Sequence, residues 1–450
     1  MEPTQAPKRT RRKILIVLLT VAAVTILAAL IVYGLWNVRV NHQLRDRLAA
    51  IRRANEPLTF NDLEARLTPV DEADDATRFY LAGMELMVKQ KQESDLFNER
   101  GKSDFAPLPA EILAKIKSDL DANKLALDLF DQGSQKEKCH RPLWVQQGLQ
   151  YCLPKLAHLR QAARLSSLRS HYLAATGQPD QAVDSLITSI RLLRLIEAYP
   201  ILIEYLVKIA CVSLAAGDTA YVLQHSQPTE AALIRLQQNL EPLVTEDDFR
   251  QVLLAERVYQ IEVMRNLFTE GKDLPETPEN AYVLPEKWAG FMSLSPNLKL
   301  MAAGLLADVE ALLPLASKPW PEGYHKMRAY QPQGQFGQIW IPGYQRLFVM
   351  IGRSLAAGRS IQTAVAVERF RRAKGTLPAS LDQLVPTFLK AVPDDPFMGK
   401  PLTYRRETNA YVIYSFGDNL KDDHGAFMGT GKTVKETDAD WGVKITLPKK

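Results

Sequence analysis

Apolar residues recur with a helical period along most of this chain. Leu81, Met84, Leu86 and Met87 fall near that spacing, as do Leu113, Ile116, Leu120, Leu125 and Leu127, and Pro and Gly keep largely to the breaks between runs. The pattern predicts helix after helix over residues 61–270. Its clearest pair is 156–176 and 181–193, joined by Gly177-Gln-Pro-Asp180. There Gly177 is suited to close the first helix, Asp180 to cap the second, and Ala182 to let the two approach.

Two other textures flank this middle. Residues 14–36 form an uncharged, mostly aliphatic run of 23 residues, enough to cross roughly 30 Å of hydrocarbon as a helix. The run is longer than the core of a cleaved signal peptide, and its polar exit, Asn37-Val-Arg39, lacks a small-x-small site. It reads as a membrane span, with residues 1–13 as a basic cytoplasmic tail and 37–60 as a juxtamembrane stalk. After the helical middle, prolines at 275, 278, 285, 296, 314, 319, 321, 332 and 342, with Trp288, Trp320 and Trp340, interrupt the period. Residues 271–350 therefore read as a wrapped Pro/Trp-rich connector with one helix around 298–313, packing its aromatics on a domain surface. An aromatic ligand groove is the alternative.

The last hundred residues change period again. Ile361, Val365, Val367 and Phe370 put an apolar stripe on a long helix that breaks at Gly375; Leu381, Leu384, Phe388 and Leu389 follow as a short cover. Pro393, Pro396 and Gly399 turn the chain into a first strand at 402–406, Thr408-Asn-Ala410 connects it to a second at 411–415, and a third spans 441–447. Residues 351–450 are thus expected as an α+β module. The whole reads as mainly α with this C-terminal module: a single transmembrane helix, an irregular helical array, then a helix with a small antiparallel sheet.

Charge adds little to this picture. The net charge is +5, and residues 1–13, with five bases and one acid, carry +4 of it. The basic balance therefore reports the anchor, and no nucleic-acid groove is expected. Lys and Arg tie across the apolar run, with five before it and Arg39, Arg45, Arg47, Arg52 and Arg53 after it. The leading charges are packed directly against the run, which favours the N-terminus inside. The three cysteines, Cys139, Cys152 and Cys211, have no zinc spacing. Cys139 and Cys152 as a bridge, or all as free thiols, both stay open.

Candidate chemistry gathers between the second and third strands. Asp418, Asp422, Asp423, Glu436, Asp438 and Asp440 face three lysines there, with Asn419 beside them. A hard cation takes six to eight oxygens, and a Gly-containing acidic loop can offer them. The alternation is not that of an EF-hand, because Gly429 stands at the twelfth position. Gly429-Thr-Gly-Lys-Thr433 echoes a phosphate loop, but Ala426 occupies the place of its first glycine and the flanks do not fit. The seven histidines form no His-x-x-x-His pair and there is no Gly-x-Ser-x-Gly. His158 and His171 read as surface or hydrogen-bonded packing residues.

The order of a helix ending near Lys374, the proline-punctuated cover, two tyrosine-bearing strands and the acidic loop resembles the globular half of the major pseudopilin of type II secretion systems. The resemblance covers about 354–447. It implies a helix leading into a small sheet held by a calcium-binding loop, with ligands among Asp418, Asn419, Asp422, Asp423, Asp438 and Asp440, and a position outside the cytoplasmic membrane. This sequence departs from it in Gly417-Asp-Asn419 and in a longer loop through residues 428–435. The helix pair at 156–193 looks like one tetratricopeptide-type hairpin, without a second copy at the period of about 34 residues that a solenoid needs. Asp74-Asp-Ala-Thr-Arg-Phe-Tyr80, Leu156-Ala-His-Leu-Arg160, Ala255-Glu-Arg257 and the tail together resemble a loosely defined group of planctomycete-type membrane-anchored proteins with a helical middle and a pilin-like tail.

These readings favour a non-enzymatic, single-pass protein of the cell inner (cytoplasmic) membrane. Its bulk would be extracytoplasmic and would hold a protein partner in the cell envelope, with no small-molecule substrate identified. A component of a type II secretion or pilus-like apparatus is the first alternative. It lacks the expected Glu near the start of the apolar helix, where Lys13-Ile-Leu-Ile-Val stands. An extracytoplasmic hydrolase is the second, with no residue set to nominate.

Overall fold

The computed structural model describes residues 8–88, 108–140, 144–196, 199–241, 243–268, 296–333, 335–426 and 440–447. The helices are α1 (Lys8–Arg53), α2 (Phe60–Glu64), α3 (Thr77–Leu86), α4 (Ala110–Ala122), α5 (Lys124–Ser134), α6 (Leu149–Ala175) and α7 (Pro179–Leu192). They continue as α8 (Leu202–His225), α9 (Glu230–Leu240), α10 (Asp248–Phe268), α11 (Pro296–Ala316), α12 (Trp320–Ala329) and α13 (Gln335–Lys374). Strands β1 (Thr403–Glu407), β2 (Ala410–Ser415) and β3 (Trp441–Thr446) close the chain. The fold is mostly helical, with one small antiparallel sheet at the C-terminal end. Two compact units contain these elements.

The first unit comprises Met1–Thr59, Gln260–Glu310 and Pro332–Ile341. Its α1 is 46 residues long, about 70 Å at 1.5 Å per residue and so more than twice the hydrocarbon thickness. The aliphatic side chains from Ile14 to Leu35 are exposed, and the helix is long and apolar enough to cross a membrane. Beyond them the character switches. Val40 and Ile51 are buried, and Ile51 and Leu58 pack with Ile261 and Leu306. Lys299 donates to Asn37 Oδ1 at 3.1 Å, and Arg47 pairs with Glu310 at 3.1 Å. The stalk expected at 37–60 is therefore a packed helix for most of its length.

The second unit comprises Phe60–Tyr259, Ala311–Gln331 and Pro342–Lys450. At its centre α6 and α7 form the expected hairpin. Gly177, at φ +78°, ends α6, with Gln178 N donating to Leu173 O at 2.9 Å and Gly177 N to Ala174 O at 3.4 Å, the paired bonds of a Schellman motif. Ala162, Ala163 and Ala182 are fully buried, and the Ser185 hydroxyl donates to Ser166 O at 2.8 Å. Small side chains thus set the close approach. Asp180 does not cap α7. Pro179 already occupies the first turn, where its missing N–H costs nothing, and the Asp180 carboxylate instead accepts from the Thr229 N–H (2.7 Å) and hydroxyl (2.8 Å) at the start of α9.

The segment expected as a connector is largely helical where it is described; residues 271–295, with Trp288, lie outside the described residues. Pro296 opens α11 and Pro319 precedes α12, positions where proline breaks no helical bond. Pro314 and Pro342 lie inside α11 and α13. Neighbouring packing holds these helices together: Trp320 is buried and stacks on Phe348 with ring centres 3.9 Å apart. Core packing, not a ligand groove, accounts for this tryptophan.

The sheet runs β1-β2-β3 with β2 central and both pairings antiparallel, Thr403 opposite Tyr414 and Ser415 opposite Trp441. Tyr411, Ile413 and Ile445 share a buried cluster with Ile361, Val365 and Val367 of α13, and Leu381, Leu384, Phe388 and Leu389 complete it. Val412 and Tyr414 face the other way, toward Phe416. That larger cluster also contains side chains of α5 to α9. Direct bonds tie the tail to the helices as well: Gln237 to Phe388 O at 2.8 Å, Arg369 to Glu230 at 2.7 Å, and Thr446 N to Gln224 at 3.0 Å. The helical array and the α+β tail, expected as separate domains, share one core.

Candidate functional site

The acidic loop leaves β2 through a short turn at Gly417–Asn419, with Gly417 at φ +70° and Leu420 at φ +62°. Asp418 points back at α13. Arg353 donates from Nε to Oδ1 at 2.7 Å and from Nη2 to Oδ2 at 3.1 Å, while the Tyr324 hydroxyl donates to the Asp418 carbonyl at 2.7 Å. The same guanidinium lies 4.8 Å over the ring of Trp441, the first residue of β3. Asn419 donates to Asp423 Oδ2 at 2.8 Å and accepts from Lys421 N at 2.9 Å. Asp422 Oδ1 accepts from the Tyr414 hydroxyl (3.0 Å) and from His424 N (2.9 Å).

Asp440 is buried and accepts from Gly425 N at 2.6 Å and Asp423 N at 3.3 Å. Burial pushes its pKa up to about 6; the two N–H donors oppose the rise and the Asp423 and Asp422 charges add to it. Asp438 and Glu436 lie outside the described residues, as does the Gly429–Thr433 stretch, residues 429–433. Among the described residues no three His, Cys, Asp or Glu side chains are grouped to hold a metal ion. The loop residues are brought close together, but their oxygens face N–H and O–H donors. A calcium shell needs six to eight oxygens turned inward on one point, and of the expected ligands Asp418, Asn419, Asp422, Asp423 and Asp440 are described and Asp438 is not.

One carboxylate near the loop gave no sequence signal. Asp395, in Pro393-Asp-Asp-Pro396, is buried, and Oδ1 accepts from Phe397 N (2.8 Å), Met398 N (3.3 Å) and the Ser415 hydroxyl (2.7 Å). Its Oδ2 accepts from Phe416 N at 2.9 Å. It therefore staples the turn before β1 to the end of β2.

A second site lies in the helices. A cleft of ≈ 770 Å³ opens where α5, α6, α7 and α9 meet, lined by the side chains of Asp131, Arg169, Asp184, Arg191, Arg235 and Asn239 among others. Arg169 meets both oxygens of Asp131 at 2.5 and 2.8 Å, and Arg235 meets Asp184 at 2.7 Å. Arg191 differs. It donates to Asn239 Oδ1 at 2.8 Å and to the Ser134 carbonyl, with no carboxylate partner among the described residues. Burial and the nearby Arg194 charge lower its pKa, the Glu137 carboxylate opposes the fall, and Arg191 stays a cation. Gln135, Gln181 and Gln238 present exposed amides on the lining.

Two further buried polar groups are structural by geometry. His171 is buried, its Nε2 3.0 Å from Asp218 Oδ1, and its ring stacks on Tyr221 at 3.9 Å; it is the hydrogen-bonded packing residue expected. Glu256 accepts from Leu202 N at 2.6 Å and from the Tyr344 hydroxyl at 3.3 Å, where α8 begins, and burial raises its pKa to about 7. The cysteines are not in disulfides: Cys152 lies buried 3.7 Å from Glu204, and Cys139 lies 3.3 Å from the Thr77 hydroxyl. No Cys139–Cys152 bridge forms, because each sulfur packs against a different element.

No known family model matches the chain, and neither a curated protein nor a solved structure is detectably similar to it.

Proposed function

We propose that this chain is a non-enzymatic, membrane-anchored interaction protein that holds a carboxylate-bearing segment of a partner protein in the α5–α6–α7–α9 cleft. The observation that carries the reading is the charge of the lining: three guanidinium groups face two carboxylates there, and Arg191, with the Glu137 charge near it, hydrogen-bonds to neutral oxygens. Positive potential in a cleft recruits anions, and a guanidinium meets a carboxylate with two parallel bonds. The glutamine amides beside it suit the N–H and C=O groups of an extended peptide. In this reading α1 anchors the chain in the cytoplasmic membrane and the rest lies outside it, a side supported by the basic residues packed before the apolar run. Assembly into a secretion filament draws only on the order of elements in the tail.

A photoreactive side chain at position 238, used in living cells, tests this. Irradiation should yield one adduct that Arg191→Ala removes and excess triglutamate suppresses, and protease added outside spheroplasts should digest it. An adduct that survives both Arg191→Ala and triglutamate would refute the cleft as the docking site, and an adduct protected until lysis would refute the orientation.

A further inference from the structure

We propose that the first unit binds the headgroups of anionic lipids where the start of α11 meets the exit of α1 from the bilayer, through Arg39 and Lys299. This surface presupposes α1 as the membrane anchor proposed above, on either side of the membrane, and is independent of the helical cleft. Two bonds set the depth of α11. Lys299 donates at 3.1 Å to Asn37, which directly follows the apolar run, and Arg47 pairs with Glu310 at 3.1 Å. The partners advance together along both chains, so α1 and α11 run parallel and rise from the same plane. The start of α11 therefore lies at the bilayer surface, although Lys299 is 262 residues from Asn37 in the chain.

Among the described residues, charge is layered with distance from that plane. Residues 37–45 of α1 include Arg39, His42 and Arg45 and no acid; residues 296–307 of α11 include Lys299 and no acid; residues 332–341 carry no charge. The first acids are Asp46 on α1 and Asp308 on α11, each about 14 Å beyond its helix's member of the Asn37–Lys299 pair at about 1.5 Å per residue. On α10, Glu262 follows Ile261, which packs against Ile51, farther out still. The headgroup layer is only about 5–8 Å deep on each side of the hydrocarbon, so Arg39 and Lys299 stand within it and the acids do not. The two cations also flank α1. Val40, Leu44 and Ile51 turn inward on the side of Asn37, and at about 100° per residue Arg39 falls on the opposite face, where it is exposed. Neither cation has a carboxylate partner among the described residues; Lys299 is bonded to a neutral amide. Phosphate-bearing lipids of net negative charge supply the missing anions at that depth.

The test uses the full chain in phosphatidylcholine vesicles that hold a trace of phosphatidylglycerol with a photoreactive headgroup, washed with alkaline carbonate before irradiation. Mass spectrometry should find label just after Trp36 and at the start of α11, and unlabelled phosphatidylglycerol should suppress it where more phosphatidylcholine does not. Lys299→Gln should lower the α11 label and Arg39→Gln the α1 label, each roughly fivefold, the worth of one base at an anionic surface. Lys299→Arg should keep the α11 label, which separates charge from packing. Arg52→Gln should change neither, since Arg52 stands well over a Debye length, about 8 Å, from the bilayer. A chain that carbonate washes off would overturn the anchor and this surface together. A chain that stays, but takes no label on α11 or keeps full label in both Gln variants, would overturn this surface alone.

Discussion

Arg353 and Arg191 are both partly sunk guanidinium groups in the same unit, and their partners differ. Arg353 meets both oxygens of Asp418 and an indole face; Arg191 meets an amide oxygen and a main-chain carbonyl. Around Arg353 the loop is rich in acids, and its described carboxylates each find donors from the protein itself. Around Arg191 the helices look like ordinary polar surface, and the cleft lining has one more guanidinium than carboxylate. Density of charged residues is therefore a poor guide to where a ligand is recognised. What matters is which charges the fold has already used, because a satisfied ion pair has little left to offer and an unmatched, half-desolvated cation has much.

The strongest way to break this contrast is Asp395→Ala. It removes the acceptor of three main-chain N–H groups and one hydroxyl in a buried turn. Four orphaned donors should cost roughly 3–5 kcal/mol, read as a large fall in melting temperature of the full chain. A loss below about 1 kcal/mol would mean that the tail does not depend on its internal acceptors.

Glu256 sharpens the contrast from another side, since its described donors, Leu202 N–H and the Tyr344 hydroxyl, are neutral. Burial, with the Glu204 charge adding to it, raises its pKa to about 7 against an ordinary 4.5. The folded chain then binds the proton more tightly than the unfolded chain, so this group's stabilisation is complete below about pH 4.5 and is lost as pH rises through about 7. The loss is on the order of 3 kcal/mol. Glu256→Gln should remove that decline, so the variant's melting curve should gain on the wild type between pH 5 and 8, taken as about the range between those two values. An identical pH profile in the two proteins would show that Glu256 ionises freely.

Much of the fold could be read along the chain because local period reports local structure. The apolar run, the α6–α7 hairpin with Gly177, the α13 stripe and the three strands all follow from spacing over a few residues. The prolines misled for a related reason. A proline count marks breaks, but Pro296 and Pro319 sit where helices begin, and packing carries α13 through Pro342. The sites were harder to see. Asp418 and Arg353 are 65 residues apart, and Arg191 and Asn239 are 48 apart. Nothing at either end of such a pair marks its partner. The acidic loop was visible as composition, while the commitment of its oxygens belongs to tertiary structure.

The smallest expected effect tests the contrast most directly, by making the same change at both arginines. Arg191→Gln removes a charge whose partners are neutral oxygens that the glutamine amide or water can still serve, so stability should change by less than about 1 kcal/mol. Arg353→Gln leaves Asp418 charged and partly buried without its cation, which should cost roughly 2 kcal/mol. Denaturation of both variants under one set of conditions gives the comparison. Equal losses would mean that Arg191 is as deeply built into the fold as Arg353. An undiminished melting temperature for Arg191→Gln, with the clear drop for Arg353→Gln, leaves the helical cleft as the place where this chain keeps a charge in reserve for something other than itself.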